Sequence, residues 1–330
     1  MNDRCYKLVQ RFGFQLIKNI PKKDYNIVLT DKGFFVLKKA KYKVSEILFI
    51  HGAKEHLINK GYRNIDSYIT IEGIPYIEYD GDYYVMTRLI EGRRCNPNNP
   101  IEIQKASRAL ARLHDASKNY IPIVKENSRS NMGKLQNDYL EKCQDYIYIK
   151  SLIKMRTTKH KIDLMVLDYI DMLYDMSIES VKSLQRNGYF QYCEEEGLYR
   201  YFCHNDYNHD NILIDISGNL SIINFDNCKY ELRCFDIASF VMAVMDKLNW
   251  DFEKVIYILE TYNSIRKIQE IEYKLMASFL QFPQDIWEIT TKYYYDDYEN
   301  LGNMYYIALK NKIERLPYRI EFLKKYNNKF

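Results

Sequence analysis

Cys203-His204-Asn205-Asp206-Tyr207-Asn208-His209-Asp210-Asn211-Ile212-Leu213-Ile214 is the stretch that decides how this chain is read. An Asp and an Asn stand five positions apart in a short loop, led by His204 and followed by an apolar strand. That is the pattern of a phosphoryl-transfer loop, where the Asp takes a proton from an attacking hydroxyl and the Asn ligates a magnesium ion on the phosphates. The spacing matters because both side chains must reach one point from a tight loop backed by a rigid strand. A turn, Asp215-Ile216-Ser217-Gly218-Asn219, leads into a second expected strand from Leu220 to Phe225. Its end, Ile223-Asn224-Phe225-Asp226, falls where a second metal ligand belongs. Asn224 occupies the position where an Asp is expected. Read without this context, an Asn- and Asp-rich segment is only a turn, because both residues supply turn hydrogen bonds.

The elements on either side agree with such a loop. Residues 1 to about 90 read as strands around one helix: Phe14 to Ile20, Asn26 to Thr30, Phe34 to Lys38, Tyr68 to Glu72, and Tyr76 to Arg88 split by the Asp80-Gly81 hairpin signal. The helix runs from Val44 to Lys60, with Ile47, Ile50, Ala53 and Leu57 at helical spacing and Gly61 as its C-cap. A breaker cluster from Asn96 to Pro100 follows, and the chain is mainly helical from Glu102 onward, including Asp251 to Lys325. Apolar positions 162, 165, 169, 172 and 176 mark a long amphipathic helix, and Ile237 to Leu248 reads as a central buried one. This order predicts an α+β, two-lobed kinase-like fold: a small β-rich lobe with the hinge (residues 1–91) and a larger, mainly helical lobe with the catalytic loop and a β-hairpin (92–330).

Within that frame Asp206 is the expected catalytic base, and Asn211, Asn224 and Asp226 the expected metal ligands. Asp226 is expected on the same side of an extended strand as Asn224, able to replace part of its missing charge. Lys38 ends a strand and is the candidate for the nucleotide's α- and β-phosphates; its partner is Glu46 or Glu55, with Glu55 preferred for its mid-helix position. The base of ATP or GTP would lie against the hinge from Met86 to Leu89, under Val36. His204 is expected to be structural, and His209 a surface side chain. Asp236 is expected as an N-cap of the buried helix and can at the same time tie that helix to the loop backbone.

Composition bounds the partners. A net charge of +4 with no block of like charges gives no support for nucleic-acid binding. Seven scattered cysteines without metal-type spacing predict free buried thiols in a reducing compartment. No apolar run follows the first charged residues, so no secretory leader is expected. The longest apolar stretch, Ile237 to Met245, is half a membrane span, so the protein is expected to be soluble and made in the cytoplasm. The 32 tyrosines reflect either codon bias, since Asn, Lys and Ile are also abundant, or packing into an insoluble layer.

Assembled, these motifs resemble the aminoglycoside phosphotransferase and choline kinase superfamily. Within it the chain is most similar to CotS-type spore coat proteins, through Val36-Leu37-Lys38 with Leu48 to Leu57, Tyr84-Val85-Met86-Thr87 with Ile90-Glu91-Gly92-Arg93, Leu110-Ala111-Arg112-Leu113-His114, and Phe282-Pro283 with Trp287 and Tyr293-Tyr294. The resemblance implies a spore coat protein among other coat proteins, with a cleft for magnesium and ATP or GTP and weak or lost phosphotransferase activity. The alternative is an active kinase for a hydroxyl of an amino alcohol or sugar-like metabolite. Two departures favour the first reading: Asn224 lacks the family's metal-binding charge, and the loop Pro21-Lys22-Lys23-Asp24-Tyr25 has no glycine to bring backbone N–H groups to phosphate. Lys22 and Lys23 would have to supply charge there instead. The weakly basic chain gives no hint of the acidic cleft that an aminoglycoside would need.

Overall fold

Short runs of alternating apolar and polar side chains between residues 16 and 88 build one antiparallel sheet in the computed structural model. The structure describes residues 3–295 and 302–330; the remainder of the expected helical stretch, 296–301, lies outside them. The sheet runs in the order β1-β2-β3-β5-β4, from β1 (Leu16–Pro21), β2 (Asn26–Thr30), β3 (Gly33–Lys39), β4 (Ile77–Tyr79) and β5 (Asp82–Arg88). Phe35 and Leu37 of β3 point into the core with Val28 and Met86, while Val36 and Lys38 face the opposite side. The Asp80-Gly81 hairpin forms as expected, with Tyr79 opposite Asp82.

The first ninety residues hold more helix than expected. α1 (Asp3–Arg11) precedes the sheet and buries Cys5, Leu8 and Val9, with Phe12 just beyond its end. This i, i+3, i+4, i+7 spacing is a helical signature that was readable in the sequence. Tyr68 to Glu72 forms no strand; it contributes only the isolated bridges Tyr68 to Thr87 and Ile71 to Ile74. α2 (Val44–Asn59) ends in a Schellman turn, with Tyr62 N–H on Leu57 O and Gly61 N–H on Ile58 O, both at 2.9 Å. Gly61 takes φ +85°, which a residue with a Cβ adopts at a cost.

The chain divides into two compact units. Unit 1 comprises Met1–Asn131 and Tyr199–Asp236, and unit 2 comprises Met132–Leu198 and Ile237–Phe330. This cut differs from a boundary at residue 92, because β6 (Arg93–Arg94) pairs with the loop hairpin and is held in unit 1 by it. Unit 1 also contains α3 (Pro100–Ala116), β7 (Phe202–Cys203), the hairpin of β8 (Ile212–Ile214) and β9 (Leu220–Ile222), and β10 (Lys229–Tyr230), which pairs with β7.

Unit 2 is helical: α4 (Leu135–Met155), α5 (Lys161–Arg186), α6 (Tyr189–Gly197), most of α7 (Arg233–Leu248), α8 (Phe252–Asn263), α9 (Glu270–Gln281), α10 (Gln284–Tyr295) and α11 (Gly302–Lys329). Its core brings Ile162, Val166, Ile170 and Leu173 against Ile286, Ile313 and Leu316. Of the expected α5 stripe Ile162 and Met176 are buried, but between them the buried positions are shifted by one residue: Met165 and Tyr169 are only partly buried and Met172 is exposed. Both stripes are apolar, so the packing partners decide which faces inward. The cysteines are free and buried, as expected. With 57% helix and a small antiparallel sheet, the α+β, kinase-like fold class holds.

Candidate active site

The loop after β7 is shaped by its own side chains. Asn208 Oδ1 caps the Asp210 N–H at 2.9 Å, and its Nδ2 donates to Asp206 Oδ1 at 2.7 Å. Asn211 Nδ2 donates to the Asp206 carbonyl at 2.8 Å and to its Oδ2 at 2.9 Å. From beneath, Asp236 accepts the His204 and Asn205 N–H groups at 2.7 and 2.9 Å, and His114 Nε2 lies 3.2 Å from it. Asp236 sits inside the first turn of α7 and not before it, so it acts as the tie to the loop rather than as an N-cap. Burial raises its carboxyl pKa, but the His114 bond and the nearby His204 outweigh this and hold it below the usual range. His204 is buried and structural, with Nε2 3.0 Å from Ile223 O and Nδ1 accepting the Asp206 N–H. His209 is half-buried with an unbonded Nδ1, so it is not the surface side chain expected.

Beyond β9 the chain does not continue as a strand. Asn224 adopts the left-handed conformation, φ 67° and ψ 60°, and Phe225–Asn227 forms a 3-10 turn. Asn enters this conformation more readily than most residues because its short amide bonds locally. The expectation that Asn224 and Asp226 share one side of an extended strand therefore fails, yet the turn still brings both to Lys38. Lys38 Nζ bonds Asp226 Oδ2 and lies 3.5 Å from Asn224 Oδ1. Asn224 Nδ2 donates to Asp206 Oδ2 and to Asn211 Oδ1, each at 3.3 Å. A single network thus joins Lys38, Asp206, Asn211, Asn224 and Asp226.

All of these but Asp206 border a cavity of about 770 Å³ built wholly within unit 1. Val36, Lys38, Leu89, Asn211, Asn224 and Asp226 line it. Asp206 reaches it through Asn211 and Asn224, and burial pushes its carboxyl pKa upward. Four expected contributors lie elsewhere. Met86 is in the apolar core, and its carbonyl accepts the Ile69 N–H at 2.7 Å. Glu55 does not line the cavity, whereas Glu46 does and pairs with Arg129 at 3.0 Å. The carboxylate on Lys38 is that of Asp226 and not a helix glutamate. Of the glycine-free loop, Asp24 and Tyr25 line the cavity but Lys22 and Lys23 do not.

Sequence reading missed two residues of the site. Tyr42 donates to Asp226 Oδ1 at 3.2 Å, and burial followed by Asp226 raises its phenol pKa. Arg129 donates to the Asp226 carbonyl and stacks 5.0 Å from the Tyr42 ring centroid. Nothing in its neighbourhood announces it, since Ile121 to Ser130 has no helical or strand periodicity and its partners are far away in sequence.

The donor set suits a hard, oxygen-loving cation such as magnesium, since Asn211, Asn224 and Asp226 offer amide and carboxylate oxygens. It is one carboxylate short, however, and the Asn224 amide hydrogens point at the ligand Asn211 and at Asp206.

Residues 6–326 match the family described as "Spore coat putative kinase YutH". The chain belongs to this family. Among its relatives is spore coat protein S of Bacillus subtilis (strain 168), 25% identical over 300 residues, covering 90% of this chain and 85% of that protein. Both findings fit the expected CotS-type, kinase-like protein. Among solved structures, an aminoglycoside phosphotransferase from Alicyclobacillus acidocaldarius subsp. acidocaldarius DSM 446 superposes with TM-score 0.81 at 18% identity, covering 95% of this chain and 92% of that one. Spectinomycin phosphotransferase APH(9)-Ia, solved with ADP and spectinomycin, superposes with TM-score 0.67 at 12% identity, covering 98% of each. At these identities the likeness is one of fold. Among the described residues no helix is long and apolar enough to cross a membrane.

Proposed function

We propose that this spore coat family member is a kinase-fold protein of the coat, whose unit 1 cavity binds ATP or GTP and whose phosphotransferase activity is weak or lost. The observation that carries the reading is the single network that joins Asp206 to Lys38, Asn211, Asn224 and Asp226, the last four on one cavity wall. Lys38 meets the α- and β-phosphates, held in place by Asp226. The base lies along Thr87, Arg88 and Leu89, beneath Val36. Asp206, its carboxyl raised by burial, faces the hydroxyl to be phosphorylated and accepts its proton. Magnesium, when bound, offsets phosphate charge, and Asn211, Asn224 and Asp226 are the residues that would hold it. Asn224 brings no negative charge to that cation, which is why activity is expected to be low.

The second reading, an active kinase for an amino alcohol or sugar-like hydroxyl, rests on the intact trio of Lys38, Asp206 and Asn211. Incubation with magnesium and labelled ATP or GTP, against a panel of hydroxylated amines and sugars, separates the two. The coat reading expects nucleotide binding with little or no transfer. Multiple-turnover transfer to a small acceptor that disappears in Asp206→Asn would establish the active kinase instead.

A further inference from the structure

A second cleft of about 490 Å³ opens on unit 1, apart from the nucleotide cavity and sharing no lining residue with it. Arg63, Lys105, Arg108 and Arg112 line it, together with the polar Asn64 and Asn219, and no acidic residue does. All four cations are exposed, and among the described residues none of them makes an ion pair. Lys105 donates to the Gly218 carbonyl at 2.6 Å. The whole chain carries a net charge of only +4, so an uncompensated group of four cations in one concavity is a local field and not a reflection of composition.

The spacing points to the ligand. Lys105, Arg108 and Arg112 sit on one face of α3 at intervals of three and four residues. Four residues of helix rise about 6 Å, so Arg108 and Arg112 repeat at nearly the distance between same-side residues of an extended peptide, about 6.6 Å. Guanidinium groups match carboxylates in bidentate pairs. A compact phosphate is a poorer fit, because no charged side chain here is buried to form a cage around it. Nucleic acid is poorer still, since the aromatic lining residue, Tyr62, is held by its bond to Ala109 O at 3.2 Å.

We propose that this cleft docks an extended acidic polypeptide segment, whose alternate carboxylates pair with Arg108 and Arg112 while Arg63 and Lys105 flank it. Resting on the proposed coat function, such a segment is assigned to another protein of the coat.

The test is titration of the full chain with hexaglutamate, hexaglutamine and tripolyphosphate at low and high salt, repeated for the double variant Arg108→Glu, Arg112→Glu. These side chains are exposed, so the variant is expected to keep its folding temperature and its nucleotide affinity. The expected result is hexaglutamate binding that weakens with salt, about tenfold or more weaker in the variant, and no binding of hexaglutamine. Equal hexaglutamate binding by both proteins would overturn the proposal. So would its absence at low salt, or binding of tripolyphosphate alone.

Discussion

Asn224 donates its side-chain amide to Asp206 across 3.3 Å, so a neutral donor meets a carboxylate that a second carboxylate at 224 would repel. Asn224→Asp therefore has two opposite effects. Without magnesium, two carboxylates face one another, and stability should fall by about 1–2 kcal/mol, seen as a lower melting temperature. With magnesium and nucleotide, the restored charge should tighten binding about tenfold, or about 1.4 kcal/mol. An unchanged affinity would mean that residue 224 does not touch the metal.

Asp226 is the one carboxylate among the proposed metal ligands, and Lys38 and Tyr42 already bond it. In Asp226→Asn, magnesium should no longer improve nucleotide affinity. Titrations with magnesium and with EDTA should then coincide for the variant and differ for the natural protein. A variant that keeps the natural magnesium dependence contradicts the assignment.

Beneath the site, Lys54 is fully buried and pairs with Asp66 at 3.0 Å, 4.0 Å from the Tyr68 ring centroid. Lys54→Met preserves volume but strands the Asp66 carboxylate, whose side chain is 13% exposed. The expected loss is about 3 kcal/mol in denaturant unfolding. Adding Asp66→Asn should recover most of it, because the stranded charge is what destabilises.

Glu231 gives unit 1 a pH dependence. Burial pushes its carboxyl up to about 7, against partial relief from the Leu232 N–H and Asn131. A carboxyl with a raised folded-state pKa contributes stability that is full below its unfolded value of 4.5 and is lost as pH rises through about 7. The loss is of order 3 kcal/mol. Glu231→Gln should flatten this decline, so that the variant is the more stable protein at pH 8 and not at pH 4.5.

The parts of the fold set by local pattern were legible in the sequence. The Asp80-Gly81 hairpin, the Gly61 cap and the Asp206 to Asn211 loop each depend on residues within a few positions of one another. Three things were not. The helical stripe of α5 had two apolar alternatives, and only distant partners such as Ile286 and Ile313 choose between them. The strand expected to run on to Phe225 ends at Ile222, because Asn224 enters a left-handed turn that apolar alternation does not register. Arg129 and Tyr42 reach Asp226 only through tertiary packing, as does the pairing of Lys38 with Asp226 in place of a helix glutamate.

Nucleotide binding by the unit 1 cavity is the claim on which the rest depends, and thermal unfolding with millimolar ATP or GTP tests it most directly. A ligand at a hundred times its dissociation constant stabilises the folded state by about 2.7 kcal/mol. The account predicts a melting temperature raised by several degrees with magnesium and nucleotide, and a smaller rise in Lys38→Ala. No shift with either nucleotide, with or without magnesium, would contradict it.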